Sequence, residues 1–312
     1  MRRSIVALVG LVFIGCSSGG PGTSPSPAAV VVDDLAPLIV ANGSTFSQYV
    51  DGKAETLHKL EEGDAALALS GPNAEGIVVQ QRFDDRSNII RIVEGETEVI
   101  AQNAGLLESA LVDDAPTVAY AKCNDSTETE IKGDVVLFDV TSKRERTLAV
   151  ACAPEYGVSR ASFGGGVFVV SATSDLTEVF RFYEPDGTKV KSRPNPTDDL
   201  KYNEPPFMSD AVLSADGSSL AYLEAPDISG VTGAEQKRSG RFNVVVVDQR
   251  TGKETARIAV PDPATQYQRL DYDGRWAVLS QAGEPVSVVD TDADDPEAIE
   301  VGVEGIASIM RS

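Results

Sequence analysis

The chain has 312 residues and carries 48 Asp and Glu against 27 Lys and Arg, a formal net charge of -21. That length admits one large domain or two ordinary ones. The acidity is a poor match for nucleic acid or an anionic membrane surface, since both demand clustered positive charge, and fits a solvated, self-repelling surface. In chain order, Met1-Arg2-Arg3 is a short basic head, and Ile5–Ile14 is an apolar run too short to cross a bilayer as a helix. Residues 1–15 are therefore expected to be an export signal outside the fold.

The apolar run ends in Val12-Phe13-Ile14-Gly15-Cys16. This resembles a bacterial lipoprotein signal with its lipobox. The resemblance implies cleavage before Cys16, a diacylglycerol on its thiol, and an extracytoplasmic, lipid-anchored place at the cell envelope membrane. Residues 16–30 follow as the lipidated Cys and a tether. Ser17–Ala29 holds only Gly, Ser, Pro, Thr and Ala, so it cannot bury a core and spans on the order of 20 Å as a flexible coil. Two further cysteines remain, Cys123 and Cys152. In an exported chain an even remainder points to a disulfide, the alternative being two free buried thiols.

Residues 31–312 read as one repeating all-β unit. Between Met208 and Pro261, short apolar runs alternate with turns at Asp216-Gly217 and Thr251-Gly252-Lys253, the pattern of antiparallel hairpins. An acidic residue ends each third strand, at Asp51, Glu94, Asp139, Glu184, Asp248 and Asp290, with spacings of 43, 45, 45, 64 and 42. An Asp there can accept a backbone N–H two residues on and hold the turn. Four strands per period of about 40–50 residues is the pattern of a β-propeller blade. The predicted architecture is a six-bladed β-propeller of four-stranded antiparallel blades, closed by the C-terminal strand Gly305–Ser312 joining the first blade.

The blade pattern LSADGSSLAYLE followed by VVVVDQRTGKETARI resembles TolB-type and WD-repeat-like propellers of bacterial envelopes. The Trp-Asp pair of WD repeats is absent, because Trp276 is followed by Ala277. The resemblance implies fold rather than function, since propellers host binders, scaffolds and enzymes alike.

Chemistry-bearing motifs are scarce. His58 is the one histidine, in an outermost strand, so neither a Ser-His-Asp triad nor a usual zinc site is expected. Gly164-Gly165-Gly166 reads as a turn rather than a phosphate cradle. Asp290, Asp292 and Asp294 have calcium-like spacing, but Asp295 stands where Gly is wanted and Val301 where Glu is, so the segment Asp290–Glu297 is read as an acidic turn. No catalytic residue, metal or cofactor is expected. The connections Ser192–Pro206 and Ala225–Gly240 fall on one rim, where binding residues usually live, and Tyr202, Asn203 and Phe207 are the candidates there. The expected function is a monomeric, non-enzymatic module, anchored to the membrane by its lipid, that binds an envelope protein or polymer. The alternatives are a carboxylate-based enzyme on envelope polysaccharide or peptide, and a small-ligand or metal binder at the axis.

Overall fold

The structure, a computed structural model, describes residues 32–70, 76–84, 86–127, 130–150, 158–174, 177–198, 200, 207–225, 242–260 and 269–310. These form β-strands joined by turns. The first three are β1 (Leu38–Asn42), β2 (Thr45–Val50) and β3 (Lys53–Lys59). Four four-stranded antiparallel sheets follow in sequence. The first comprises β4 (Asp64–Ser70), β5 (Ile77–Arg82), β6 (Ser87–Val93) and β7 (Glu96–Gln102). The second comprises β8 (Ala104–Val112), β9 (Ala115–Thr127), β10 (Glu130–Asp139) and β11 (Arg144–Val150). The third comprises β12 (Val158–Gly164), β13 (Val167–Ser174), β14 (Thr177–Tyr183) and β15 (Lys189–Val190). The fourth comprises β16 (Phe207–Leu213), β17 (Ser219–Ala225), β18 (Phe242–Asp248) and β19 (Glu254–Val260). The chain closes with β20 (Arg269–Tyr272), β21 (Trp276–Asp290) and β22 (Ala298–Ile309).

The propeller has five blades, not the six expected. β22 pairs with β21 through its first part and with β1 through its last, giving one six-stranded sheet in the order β20-β21-β22-β1-β2-β3. Two glycines make this possible. Gly302 and Gly305 take φ of +75° and +129°, and a Cβ on Gly305 would lie 2.4 Å from the Ala41 carbonyl oxygen. The strand therefore bends across what the period suggested were separate first and last units. The sheet is folded on itself, so that Leu38, Val40 and Tyr49 pack with Val278, Val286 and Val288.

Burial follows radial position. β18 is sandwiched between neighbouring blades and buries Val244, Val245, Val246 and Val247, so both faces are apolar. Outermost strands β3 and β7 are largely exposed and correspondingly polar. The core lies between consecutive blades, as where Phe180 and Phe182 meet Met208, Leu213 and Tyr222. The acidic turn positions fall at strand ends throughout. Asp139 Oδ1 accepts from the Thr141 and Ser142 amides at 2.8 and 2.9 Å, and Asp248 Oδ1 from the Arg250 and Thr251 amides at 3.1 and 2.7 Å. Asp51 and Glu94 serve differently, with φ of +50° and +51°.

Candidate functional site

Four inner strands carry a bulge, between Ala65 and Leu67, Leu106 and Glu108, Val158 and Arg160, and Ser209 and Val212. A bulge re-aims the side chain beside it. Here the residues at or beside three of these bulges are Glu108, Arg160 and Asp210, and Arg269 opens the next inner strand, so the charge alternates from blade to blade. Arg160 is 2% exposed. Its Nη1 donates to Asp210 Oδ1 at 2.9 Å and to the Leu270 carbonyl, and its Nη2 to Asp271 Oδ1 at 3.2 Å. Asp210 also accepts the Leu270 amide, and Asp271 Oδ2 accepts the Ile309 amide at 2.8 Å. One guanidinium and two carboxylates thus tie β12, β16, β20 and β22 together.

Burial disfavours the Arg160 charge, but Asp210 and Asp271 more than offset it and the net shift is upward. Burial, with the Arg160 charge beside it, lowers Arg269 to about 10. Glu178, whose Oε2 accepts the Asp210 amide at 2.7 Å, is lifted by burial to about 7. Glu108 accepts amides from Ser109 at 2.9 Å and Phe163 at 3.3 Å. The axial carboxylates are occupied with the scaffold.

A different arrangement stands at the edge of the third four-stranded sheet. β15 is only two residues long, and Pro194 and Pro196 follow, which cannot donate to a ladder. Side chains take over the pairing with β14. Thr197 Oγ1 accepts the Phe180 amide at 3.1 Å, and Asn195 Nδ2 donates to the Phe180 carbonyl at 2.9 Å. Asn195 Oδ1 in turn accepts the Thr197 amide and hydroxyl at 3.0 and 2.9 Å. Arg193 Nη1 donates to the Gly217 carbonyl at 2.8 Å, tying the connection to the next blade.

Between β14 and this side-chain-paired segment lies a cavity of about 390 Å³. Val179, Phe180, Phe182 and Val190 line it together with Arg181, Lys189, Lys191, Arg193, Asn195 and Asp198. Among the described residues four cations thus meet one carboxylate, Asp198, which accepts from Asn195 Nδ2 at 2.8 Å. Among the described residues none of the four cations forms an ion pair. Lys189 and Lys191 are exposed, Arg181 and Arg193 half-buried. The local sign is opposite to that of the chain as a whole.

Of the residues singled out from sequence, Cys16, Cys152, Tyr202 and Asn203 lie outside the described residues, as do residues 1–31. Cys123 lies in β9, paired in register with Gly133, and Phe207 opens β16 opposite Ala225. His58 sits in β3, its ring 5.6 Å from that of Phe46. Asp290 pairs with Arg275 Nη2 at 2.7 Å, and among the described residues no three His, Cys, Asp or Glu side chains gather to hold a metal. Sequence reasoning passed over Arg181, Lys189, Lys191 and Arg193. Their signal was the run Lys189-Val-Lys-Ser-Arg193 within an acidic chain.

No family model matches the sequence, and no curated protein matches it as a relative. Among solved structures, TolB from Acinetobacter baumannii superposes with a TM-score of 0.61 at 16% identity, covering 89% of this chain and 67% of that one. A protein in the complex of KlAtg21 with the coiled coil of AgAtg16 gives 0.52 at 10% identity, covering 89% and 83%. One in the nidogen/laminin complex gives 0.50 at 12%, covering 88% and 97%. The fold is a TolB-like β-propeller.

Proposed function

We propose that this chain is a lipid-anchored, extracytoplasmic propeller that binds an envelope protein or polymer without transforming it, at the edge built by β14, β15 and residues 191–198. The observation that carries this reading is the cationic cavity: cations on a sheet edge that form no ion pair among the described residues, in a chain of net charge -21. A scaffold that holds a recognition loop in one geometry lowers the ordering cost of binding. The axial acids, bonded to Arg160 and to main-chain amides, support a structural role for the centre. Apolar docking has less support, since the exposed large hydrophobics among the described residues, Val50, Leu57, Val99 and Ile299, lie on or beside β2, β3, β7 and β22, away from this edge. Two of the structural neighbours above are seen in protein complexes, which accords with a binding role.

The test is affinity capture from native membranes with the full chain and with Lys189→Glu/Lys191→Glu. Loss of a partner in the charge-reversed chain alone is expected. Identical partners for both chains would remove the cavity from the interface, and release of the chain from the membrane fraction by Cys16→Ser checks the anchor.

A further inference from the structure

We propose that this cavity also holds a phosphate group, presented by a small molecule or a lipid rather than by the protein or polymer partner itself. The proposal rests on the placement of the binding site in the cavity. Four of the chain's 27 Lys and Arg line this one cavity, and among the described residues they face a single carboxylate already engaged by Asn195. Cations kept for solubility or for surface ion pairs would be dispersed among the 48 acids. Among the described residues these converge and form no ion pair, so their mutual repulsion is left for a ligand to relieve.

The charge count selects the ligand. A phosphate monoester carries roughly -1.5 to -2 near neutral pH and three acceptor oxygens, a better match to four donors than a lone carboxylate. Two arginines offer planar forks suited to such oxygens, and two lysines offer mobile point charges. β14 and β15 pair Tyr183 with Lys189, and side chains alternate along a strand, so Arg181 and Lys189 lie on one face of the sheet, on neighbouring strands. The apolar lining from Val179, Phe180, Phe182 and Val190 limits screening and strengthens each contact. The volume, about 390 Å³, is that of a small-ligand site and leaves room for part of whatever bears the phosphate. That bearer is a lipid headgroup or a free phosphate ester.

The full chain is titrated calorimetrically at constant ionic strength, with chloride as the balancing anion. The probes are inorganic phosphate, glycerol 1-phosphate and dihexanoylphosphatidic acid, a short-chain lipid with a monoester headgroup, kept at concentrations where it dissolves as monomers. The variant is Arg181→Gln/Lys191→Gln, with its circular dichroism and its melting temperature in chloride compared with those of the unaltered chain. Saturable binding of phosphate and its ester, at least tenfold weaker in the variant with the fold intact, is expected. Stronger binding of the lipid than of glycerol 1-phosphate would assign the headgroup as the source, and the reverse order the free ester. No binding of any probe, or equal binding by the variant, overturns the proposal. If phosphate fails while Lys189→Glu/Lys191→Glu still loses its partner, the binding edge stands and only the phosphate falls. If phosphate binds while that variant keeps its partner, the phosphate site stands and the edge is not the partner's.

Discussion

Arg160→Met is the sharpest probe of how the blades are locked together. The methionine keeps the apolar stem and removes a guanidinium that contacts Asp210, Asp271 and the Leu270 carbonyl. Breaking a buried pair by deleting one partner costs about 3–5 kcal/mol, because the other charge is left uncompensated. Here the carboxylates keep main-chain donors: Asp210 the Leu270 amide, and Asp271 the Ile309 and Tyr272 amides at 2.8 and 3.0 Å. Arg269 also remains within electrostatic reach of both acids. The low end, about 3 kcal/mol, is therefore expected, or a fall in Tm of roughly 5–10 °C for a domain of this size. Calorimetry of Arg160→Met, of Asp271→Asn and of the double variant measures both the loss and its origin. The double variant should lose less than the sum of its parts, with a coupling of about 1–3 kcal/mol. A single variant melting within 1 °C of the unaltered chain, or strictly additive losses, would refute the account of the axis as a charge-locked joint.

Glu178 supplies a pH signature. Its folded-state carboxyl lies at about 7, above the ordinary 4.5, because of burial. Between those values the folded chain holds a proton that the unfolded chain has lost, so stability should fall as pH rises through this window and level off above it. The size is on the order of 3 kcal/mol. Glu178→Gln, which can still accept the Asp210 amide, should flatten this dependence and exceed the unaltered chain in stability at pH 8, as urea unfolding at pH 5, 6, 7 and 8 would show. Gly164→Ala should destabilise by about 1–3 kcal/mol or more, since its Cβ would fall 1.9 Å from the Ser214 carbonyl oxygen. Gly105→Ala, with nothing within 4 Å and an ordinary φ, should be neutral or stabilising by about 0.4–1 kcal/mol in the same urea assay.

The repeat was legible because turn chemistry is local. Asp139, Asp248 and Asp290 hold their turns through bonds to amides two residues on, and that requirement shows in the spacing. The blade count was not legible, because it depends on which strand β22 leaves and which it joins. Glycine at 302 and 305 is visible in the chain, but the 2.4 Å approach to Ala41 that uses it is not. The axial charges lay in plain view as the residues that begin ESALV, RASFG, DAVLS and RLDYD. In the sequence nothing sets them apart from the chain's other charges. The bulges beside Glu108, Arg160 and Asp210, which leave Arg160 2% exposed, bring these three together with Arg269.

The two charge clusters obey one physical rule with opposite outcomes. Inside the propeller an unpaired charge would be intolerable, so the alternation from Glu108 to Arg269 neutralises itself and leaves little capacity for a ligand. At the edge, water keeps Lys189 and Lys191 solvated, so their charge can stay unpaired at small cost. Pro194 and Pro196 keep the ladder from closing over them, and Asn195 and Thr197 satisfy the Phe180 backbone groups that the missing strand would have bonded. Had β15 continued as a regular strand, the cavity would be filled by it. The shortening of that strand is what converts a protected sheet edge into a recess with a positive rim. On a body of net charge -21, such a recess is a local inversion of field that draws in an anion the rest of the surface repels.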